Sequence, residues 1–276
     1  MFESKKPRSS LFSAIYICEL IYHNSVRAIR KTHGNAMMAI VMNMLQTAIF
    51  VLAFYVMFSI LGLKGTALRG DFMIYIMTGI FLYMTHTKTM GAVAGSEGPA
   101  SPMMQHAPMN TAIAIASAML STLYIQMLSL FVILFIYDVA FNPFVLQEIN
   151  DPIGCIAMIL IAWFSGAAIG VVLLAAKPWF PTPVSIFSTI YQRANMIASG
   201  KMFVANTLPT SMLVMFDWNP LFHAIDQARG YAFVNYNPRN SNWEYPLILS
   251  LVLVMIGLMA EFYTRKHASA SWAARR

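Results

Sequence analysis

Charged side chains are scarce in this chain. Only 11% of its 276 residues are charged and 58% are hydrophobic, whereas about 25% of the residues of an ordinary soluble domain are charged. No charged residue lies between Lys31 and Lys64, and a helix needs roughly 20 apolar residues to cross a bilayer. This scarcity argues against a soluble domain and predicts an all-α polytopic membrane protein.

Sequence motifs of common active sites are also missing. The chain has no Gly-x-x-x-x-Gly-Lys-Ser/Thr phosphate loop, no His-Glu-x-x-His pair and no Gly-x-Ser-x-Gly elbow. The histidines are scattered, and the two cysteines, Cys18 and Cys155, predict neither a disulfide nor a metal site. We therefore expect a non-enzymatic chain without a cofactor of its own. The energy for any active transport would come from another subunit or from an ion gradient.

Long uncharged intervals recur along the sequence and set the number of predicted spans. They cover 32–63, 72–87, 98–137, 152–176, 182–206 (interrupted by Arg193 and Lys201) and 245–260. They predict six transmembrane helices within a membrane domain of residues 34–264. Residues 1–33 and 265–276 form the flanking segments.

Basic residues are concentrated in these two flanks. They are Lys5, Lys6, Arg8, Arg27, Arg30, Lys31, Arg265, Lys266, Arg275 and Arg276. Because cytoplasmic flanks of membrane proteins are rich in Lys and Arg, this distribution predicts that both termini are cytoplasmic. It explains the net charge of +7 by topology and contact with anionic lipids, and argues against nucleic-acid binding.

The segment before the first span has one apolar face at helical spacing. This face comprises Leu11, Ile15, Cys18, Tyr22, Val26 and Ile29. The pattern predicts an amphipathic helix at the membrane interface. The helix either anchors the chain to the surface or packs beside the first span.

Glycine and proline interrupt the connection after the second span. The short run Met103-Met104-Gln105-His106-Ala107 lies between Pro102 and Pro108, and residues of these types stop helices. The parity of the spans places this turn in the cytoplasm. It is either a simple loop or a docking element for a soluble partner.

The stretch before the last span is the most irregular part of the sequence. Leu208-Pro209 leads into a run that is too short for a crossing, and the run continues through Trp218-Asn219-Pro220-Leu221-Phe222-His223 to Arg229. Broken backbone at membrane depth is tolerated only where protein or a water-filled cavity satisfies its polar groups. We therefore expect re-entrant helices that line or close a pathway.

Arg193 and Lys201 interrupt the fifth apolar interval. A charge at the centre of a span costs roughly 2.5–3.5 kcal/mol on insertion scales, so both residues need an explanation. One explanation is that both lie near an interface, or that one of them pairs with Asp217. The other is that at least one faces a channel and attracts an acidic polymer.

Taken in order, these features resemble the permease subunit of ATP-binding-cassette exporters of capsular polysaccharide and O-antigen. The resemblance spans nearly the whole chain and is most specific at Leu208-Pro209, at the Trp218 to His223 run and at Arg229. It implies a homodimer in the bacterial inner membrane, bound to two ATP-binding subunits that carry ATP and Mg. It also implies a polysaccharide substrate, which a periplasmic export partner would receive.

The resemblance further implies roles for two sets of residues. The docking turn for the ATPase would comprise Pro102, Met103, Met104, Gln105, His106 and Pro108. The gate and translocation path would include Arg193 and Lys201, the two charges that interrupt the fifth apolar interval. Its other members would be Pro209, Trp218, Asn219, Pro220, Phe222, His223 and Arg229. Two alternatives stay open, namely a permease of the same class for a lipid-linked glycan, lipid or drug, and a membrane-embedded glycan-processing enzyme.

Overall fold

The computed structural model describes residues 10–31, 36–62, 68–98 and 110–267, and this part of the chain is helical without strands. Its helices are α1 (Ser10–Lys31), α2 (Ala36–Ile60), α3 (Phe72–Ala94), α4 (Thr111–Ala140), α5 (Pro152–Ala176), α6 (Pro181–Ala198), α7 (Thr210–Phe216), α8 (Pro220–Ala232) and α9 (Glu244–His267). Short 3-10 turns cover Val145–Glu148 and Ala205–Thr207. The predicted docking turn, Pro102 to Pro108, lies outside the described residues.

Four of the described helices, α2, α4, α5 and α9, are long and apolar enough to cross a membrane. They coincide with four of the six predicted intervals and confirm the expectation of a helical membrane protein. The other two intervals, 72–87 and 182–206, contain α3 and α6. Helix α6 ends at Ala198, so the fifth interval is not one continuous helix as far as Lys201.

Helix α3 lies at the centre of the bundle and packs closely against α5. The close approach depends on glycines of α5. A Cβ atom at Gly166 would lie 2.3 Å from the carbonyl oxygen of His86, and one at Gly170 would lie 2.8 Å from Cβ of Val93. Small residues let membrane helices approach in this way.

We expect the Gly166→Ala variant to be less stable than the wild type by about 1–3 kcal/mol, because the added methyl group forces two helix backbones apart. Gly91→Ala is the matched control, since a Cβ at Gly91 of α3 meets nothing within 4 Å. That change should be neutral or stabilise by up to about 1 kcal/mol. Thermal unfolding of the detergent-purified variants measures both effects, and equal melting temperatures would contradict the packing.

A fully buried histidine joins three helices next to this contact. Nδ1 of His86 lies 2.9 Å from the Ser165 hydroxyl of α5, and its Nε2 lies 3.0 Å from the Tyr191 hydroxyl of α6. The ring therefore ties α6, which contacts the bundle sparsely, to the rigid α3–α5 pair. The sequence predicted only isolated polar contacts for the histidines.

Helix α1 confirms the predicted N-terminal helix and packs mainly on α4. The Ser25 hydroxyl donates to the Ser117 carbonyl oxygen at 3.3 Å, and the Ser117 hydroxyl donates to the Ile21 carbonyl oxygen at 3.2 Å. On the predicted apolar face, Ile15 and Tyr22 are 61% and 65% exposed. The part of this face around Ile15 and Tyr22 points away from the bundle, as expected of a helix that offers it to lipid, whereas Val26 and Ile29 are half-buried.

Candidate functional site

The chain between α6 and α9 is folded into two short helices instead of one long helix. We call residues 199–243 the broken segment. Helix α7 ends at Phe216 and α8 begins at Pro220, with Asp217, Trp218 and Asn219 between them. Pro220 is favourable at the start of α8. Proline has no backbone N–H group, and N–H groups in the first turn of a helix have no acceptor within the helix.

Asn219 caps α8 and also fastens it to α6. Its Oδ1 accepts the Leu221 N–H at 3.1 Å, which satisfies one of the unpaired donors of the first turn. Its Nδ2 donates to Oδ1 of Asn195 at 2.9 Å and to the carbonyl oxygen of Ala198 at 3.0 Å. Asn219 and Asn195 are both buried, so the break between α7 and α8 is fixed by a dry polar contact.

Asn219→Ala should lower the free energy of unfolding by about 2 kcal/mol or more. The loss of a cap costs about 0.5–2 kcal/mol, and the buried Asn195 amide would also lose a partner, at about 1–3 kcal/mol. Asn110→Ala is the matched control, because Asn110 caps α4 through one hydrogen bond, to the Ala112 N–H, and is exposed. If chemical or thermal unfolding gave the same loss for both variants, the role of Asn219 in joining α6 and α8 would be wrong.

Arg229 of α8 holds the turn that follows α6. Its guanidinium group donates to the carbonyl oxygens of Gly200 at 2.8 Å, Lys201 at 2.8 Å and Phe203 at 2.5 Å. It also lies 4.2 Å from the ring centroid of Tyr75 in α3 and is 1% exposed. A rigid planar donor fork is the side chain best suited to several backbone acceptors at once.

Gly200 is required at this turn for a conformational reason. Its φ angle is +76°, which L side chains rarely adopt, and a Cβ there would lie 2.8 Å from the Phe222 ring. Phe222 is buried and packs with Phe216, whose ring in turn contacts Phe203. The turn after α6 is therefore held by Arg229 on one side and by an aromatic cluster of the broken segment on the other.

Lys201 is buried, and its ammonium group has no hydrogen-bond partner among the described residues. Its Nζ lies 3.8 Å from the ring centroid of Tyr83, 4.7 Å from that of Phe50 and 4.8 Å from that of Phe54. These rings belong to α2 and α3, so the side chain anchors the broken segment to the bundle through cation–π contacts. The structure does not pair Lys201 with Asp217, which was one of the alternatives left open by the sequence, because the three rings enclose the ammonium group.

A second set of polar contacts connects α8 with the break before it and with the loop before α9. Asp217 accepts from His223 through its backbone oxygen at 2.7 Å, and its carboxylate lies 3.3 Å from the same Nε2. The Asn242 N–H donates to Nδ1 of His223 at 3.2 Å. Since Nδ1 accepts, the ring is the neutral tautomer with its proton on Nε2. His223 thus links the break between α7 and α8 to the C-terminal end of the broken segment.

Asp226 is buried beside two hydroxyl groups. It accepts hydrogen bonds from the Tyr236 hydroxyl and, at 2.7 Å, from the Ser241 hydroxyl. Burial and the neighbouring Asp226 carboxylate raise the pKa of Tyr236, so the phenol remains a donor at neutral pH. These contacts fasten the loop before α9 to α8.

The structure brings most of the predicted site residues together. Lys201, Asn219, Pro220, Phe222, His223 and Arg229 share the core of the broken segment. Pro209 starts α7, where its carbonyl oxygen accepts from the Met212 and Leu213 N–H groups. Trp218 is 62% exposed at the break. Arg193 stands apart on the exposed face of α6 and has no ion pair within the described part of the chain.

Sequence reasoning missed the partners of these residues. Asn195, Tyr75, Phe50 and Phe54 complete the contacts of Asn219, Arg229 and Lys201. Nothing in local spacing identifies them, because the rings that surround Lys201 precede it by more than 100 residues. The sequence signal available for Asn195 is that a polar asparagine lies within the predicted apolar interval 182–206.

Neither a scan against protein-family models nor a search of the curated proteins finds a match to this chain. Within residues 10–31, 36–62, 68–98 and 110–267, no group of three or more His, Cys, Asp or Glu side chains is placed to hold a metal ion. The described site holds a broken helix pair against a bundle by contacts that are polar, buried and specific.

Proposed function

We propose that this chain is the transmembrane permease subunit of an ATP-driven ABC exporter for capsular or other cell-surface polysaccharide. In this proposal α2, α3, α4, α5, α6 and α9 are the six spans, and α7 and α8 form a re-entrant gate. Two copies of the chain bind two copies of a separate ATP-binding subunit in the bacterial inner membrane. Both termini are cytoplasmic.

The observation that carries the proposal is the broken segment itself. A purely structural bundle would have no need for a helix pair that is interrupted at Asp217 to Asn219 and held by buried cations. The order of the elements, with this pair directly before the last long helix, is the order that the resemblance implies. The contacts of Arg229 and Lys201 with α3 and α2 attach the broken segment to the spans, so a rearrangement of the spans would move it.

An unpartnered face of α6 supports assembly with a second copy. Its exposed apolar side chains are Ile186, Phe187, Ile190 and Ile197, at 53–64% exposure. Arg193 lies among them. A cation on such a face is costly in lipid, whereas a hydrated path between two subunits would accommodate it. In this proposal Arg193 faces the path and attracts an acidic polymer.

Copurification tests the proposal. The chain, tagged at its C-terminus and purified in mild detergent from the cell that encodes it, should bring an ATPase subunit with it in an equimolar ratio. The Met103→Asp/Met104→Asp variant should retain less than about a tenth of that subunit, since a loss of 1.4 kcal/mol is tenfold in binding. Its membrane level should be unchanged. A wild-type preparation without an ATPase subunit would count against the assembly. Equal recovery of that subunit with the wild type and the variant would count against the docking turn.

A further inference from the structure

A cavity of about 690 Å³ lies between α1, α2, the end of α3 and the first half of α4. It lies apart from the broken segment, and the residues that line it belong to the first four helices and to the turn after α3. Polar side chains contribute much of its wall. They include Asn24, Arg27, Asn43, Gln46, Ser121 and Thr122.

Some polar groups of this wall are hydrogen-bonded within the protein, and others are available to a ligand with acceptor oxygens. The hydroxyl groups of Ser121 and Thr122 donate to the Ala118 carbonyl oxygen, at 3.1 Å and 2.9 Å. By contrast, the side chains of Asn24, Arg27 and Gln46 have no hydrogen-bond partner among the described residues. The N–H donors of Asn24, Arg27 and Gln46 thus line one cavity without hydrogen bonds to other described residues.

A half-buried charge behind the wall makes the cavity more favourable for an anion. The ammonium group of Lys88 donates to Oδ1 of Asn43, which also accepts from the Gln126 amide at 3.4 Å. Nδ2 of Asn43 donates to the Ser129 hydroxyl at 3.0 Å. Oε1 of Gln126 is buried without a donor. Lys88 and Arg27 together exceed the one carboxylate of the lining, that of Glu97.

The surface next to the cavity is apolar. Arg27, Met42 and Gln46 are exposed, so the cavity communicates with the outside of the bundle. From Met42 an exposed stripe continues along α2 at helical spacing. Its further members are Leu45, Ile49 and Val56, at 46–58% exposure. A ligand that fits both surfaces has an anionic, oxygen-rich head and long apolar chains.

We propose that this cavity binds the phosphate-bearing head group of a membrane lipid, whose acyl chains lie along the exposed face of α2. Arg27 and the amides of Asn24 and Gln46 donate to the phosphate oxygens. Lys88 adds positive potential from behind Asn43. The proposal needs only α1 to α4, so it is independent of the proposed transport function.

Native mass spectrometry of the full chain in detergent, titrated with phosphatidylglycerol, tests this site. We expect saturable binding that Arg27→Gln and Gln46→Leu each weaken by about fivefold or more, since a charge-assisted hydrogen bond contributes substantially to affinity. Arg30→Gln is the matched control, because Arg30 is exposed on the same helix and does not line the cavity. It should change the affinity by less than about twofold.

Two further ligands separate the possible sources of binding. Diacylglycerol with the same acyl chains should bind at least about fivefold more weakly to the wild type, because it lacks the phosphate. Inorganic phosphate at millimolar concentration should not displace the bound lipid, because it lacks the chains. Equal losses in Arg27→Gln and Arg30→Gln would indicate surface electrostatics and overturn the proposal. Equal binding of diacylglycerol, or displacement by inorganic phosphate, would overturn it as well.

Discussion

Arg229→Met is expected to destabilise the protein by about 3 kcal/mol or more, the largest loss among the variants considered. The guanidinium group satisfies three carbonyl oxygens of the turn after α6. Those of Lys201 and Phe203 have no other donor in the described part of the chain. Hydrogen bonds to charged groups contribute about 1.5–3 kcal/mol each, and a buried acceptor without a donor costs about 1–3 kcal/mol. The melting temperature in detergent should fall by about 6 °C or more.

Arg193→Gln is the matched control for the loss of an arginine. Arg193 is exposed and makes no ion pair with any described residue, so the stability of this variant should stay within about 0.5 kcal/mol of the wild type. Arg229→Lys should recover only part of the loss, because an ammonium group cannot reproduce the planar fork. A change of one kcal/mol in stability shifts the melting temperature of a chain of this size by more than about 1 °C. Melting temperatures of Arg229→Met and Arg193→Gln that agree within about 1 °C would therefore contradict the role of Arg229.

Lys201→Met is expected to have the opposite effect and to stabilise the protein by about 1 kcal/mol or more. Burial of an ammonium group without a hydrogen-bond partner costs several kcal/mol. The three rings offset part of that cost, at about 0.5–2 kcal/mol for a well-placed cation–π contact. Methionine has a similar length, and its sulfur makes favourable contacts with aromatic rings. The melting temperature should rise by about 2 °C or more.

Lys177→Met controls for the general removal of a positive charge. Lys177 follows α5 and is exposed, so its replacement should leave the melting temperature unchanged. Replacement by methionine is thus expected to lower the stability at Arg229 and to raise it at Lys201, because of these two side chains only the arginine donates hydrogen bonds to described residues. A fall in the melting temperature of Lys201→Met would show that the ring contacts outweigh desolvation.

If the proposed gate is correct, the more stable Lys201→Met protein should export polymer more slowly than the wild type. An ammonium group that is buried at a cost favours release of the broken segment into a more hydrated arrangement. Removal of that cost favours the docked arrangement. Export at the wild-type rate in a variant with raised stability would separate the packing of Lys201 from any role in gating.

The helices could be predicted from the sequence because apolar intervals and helix-stopping residues are local signals. The predicted interval 152–176 coincides with α5, and the interval 98–137 contains most of α4, which runs from Thr111 to Ala140. The interruption of the helix at Trp218-Asn219-Pro220 was also predictable, since proline begins a helix and asparagine caps it.

The contacts of the broken segment could not be predicted, because they depend on tertiary structure. Arg229 was singled out by position, yet its acceptors are backbone carbonyl oxygens that carry no sequence signal. The rings around Lys201 come from α2 and α3, and single residues within apolar helices do not reveal which side chain they will meet. For the same reason, pairing of Lys201 with Asp217 was plausible from charge alone and is not found in the structure.

Disruption of this chain in the cell that encodes it tests the central claim most directly. Surface polysaccharide, measured by extraction and by labelling of intact cells, should be lost while the same polymer accumulates inside. Expression of the wild-type chain should restore it, and the Arg229→Met variant should not. Unchanged surface polysaccharide in the disrupted strain, with no internal accumulation, would contradict the assignment as an exporter permease.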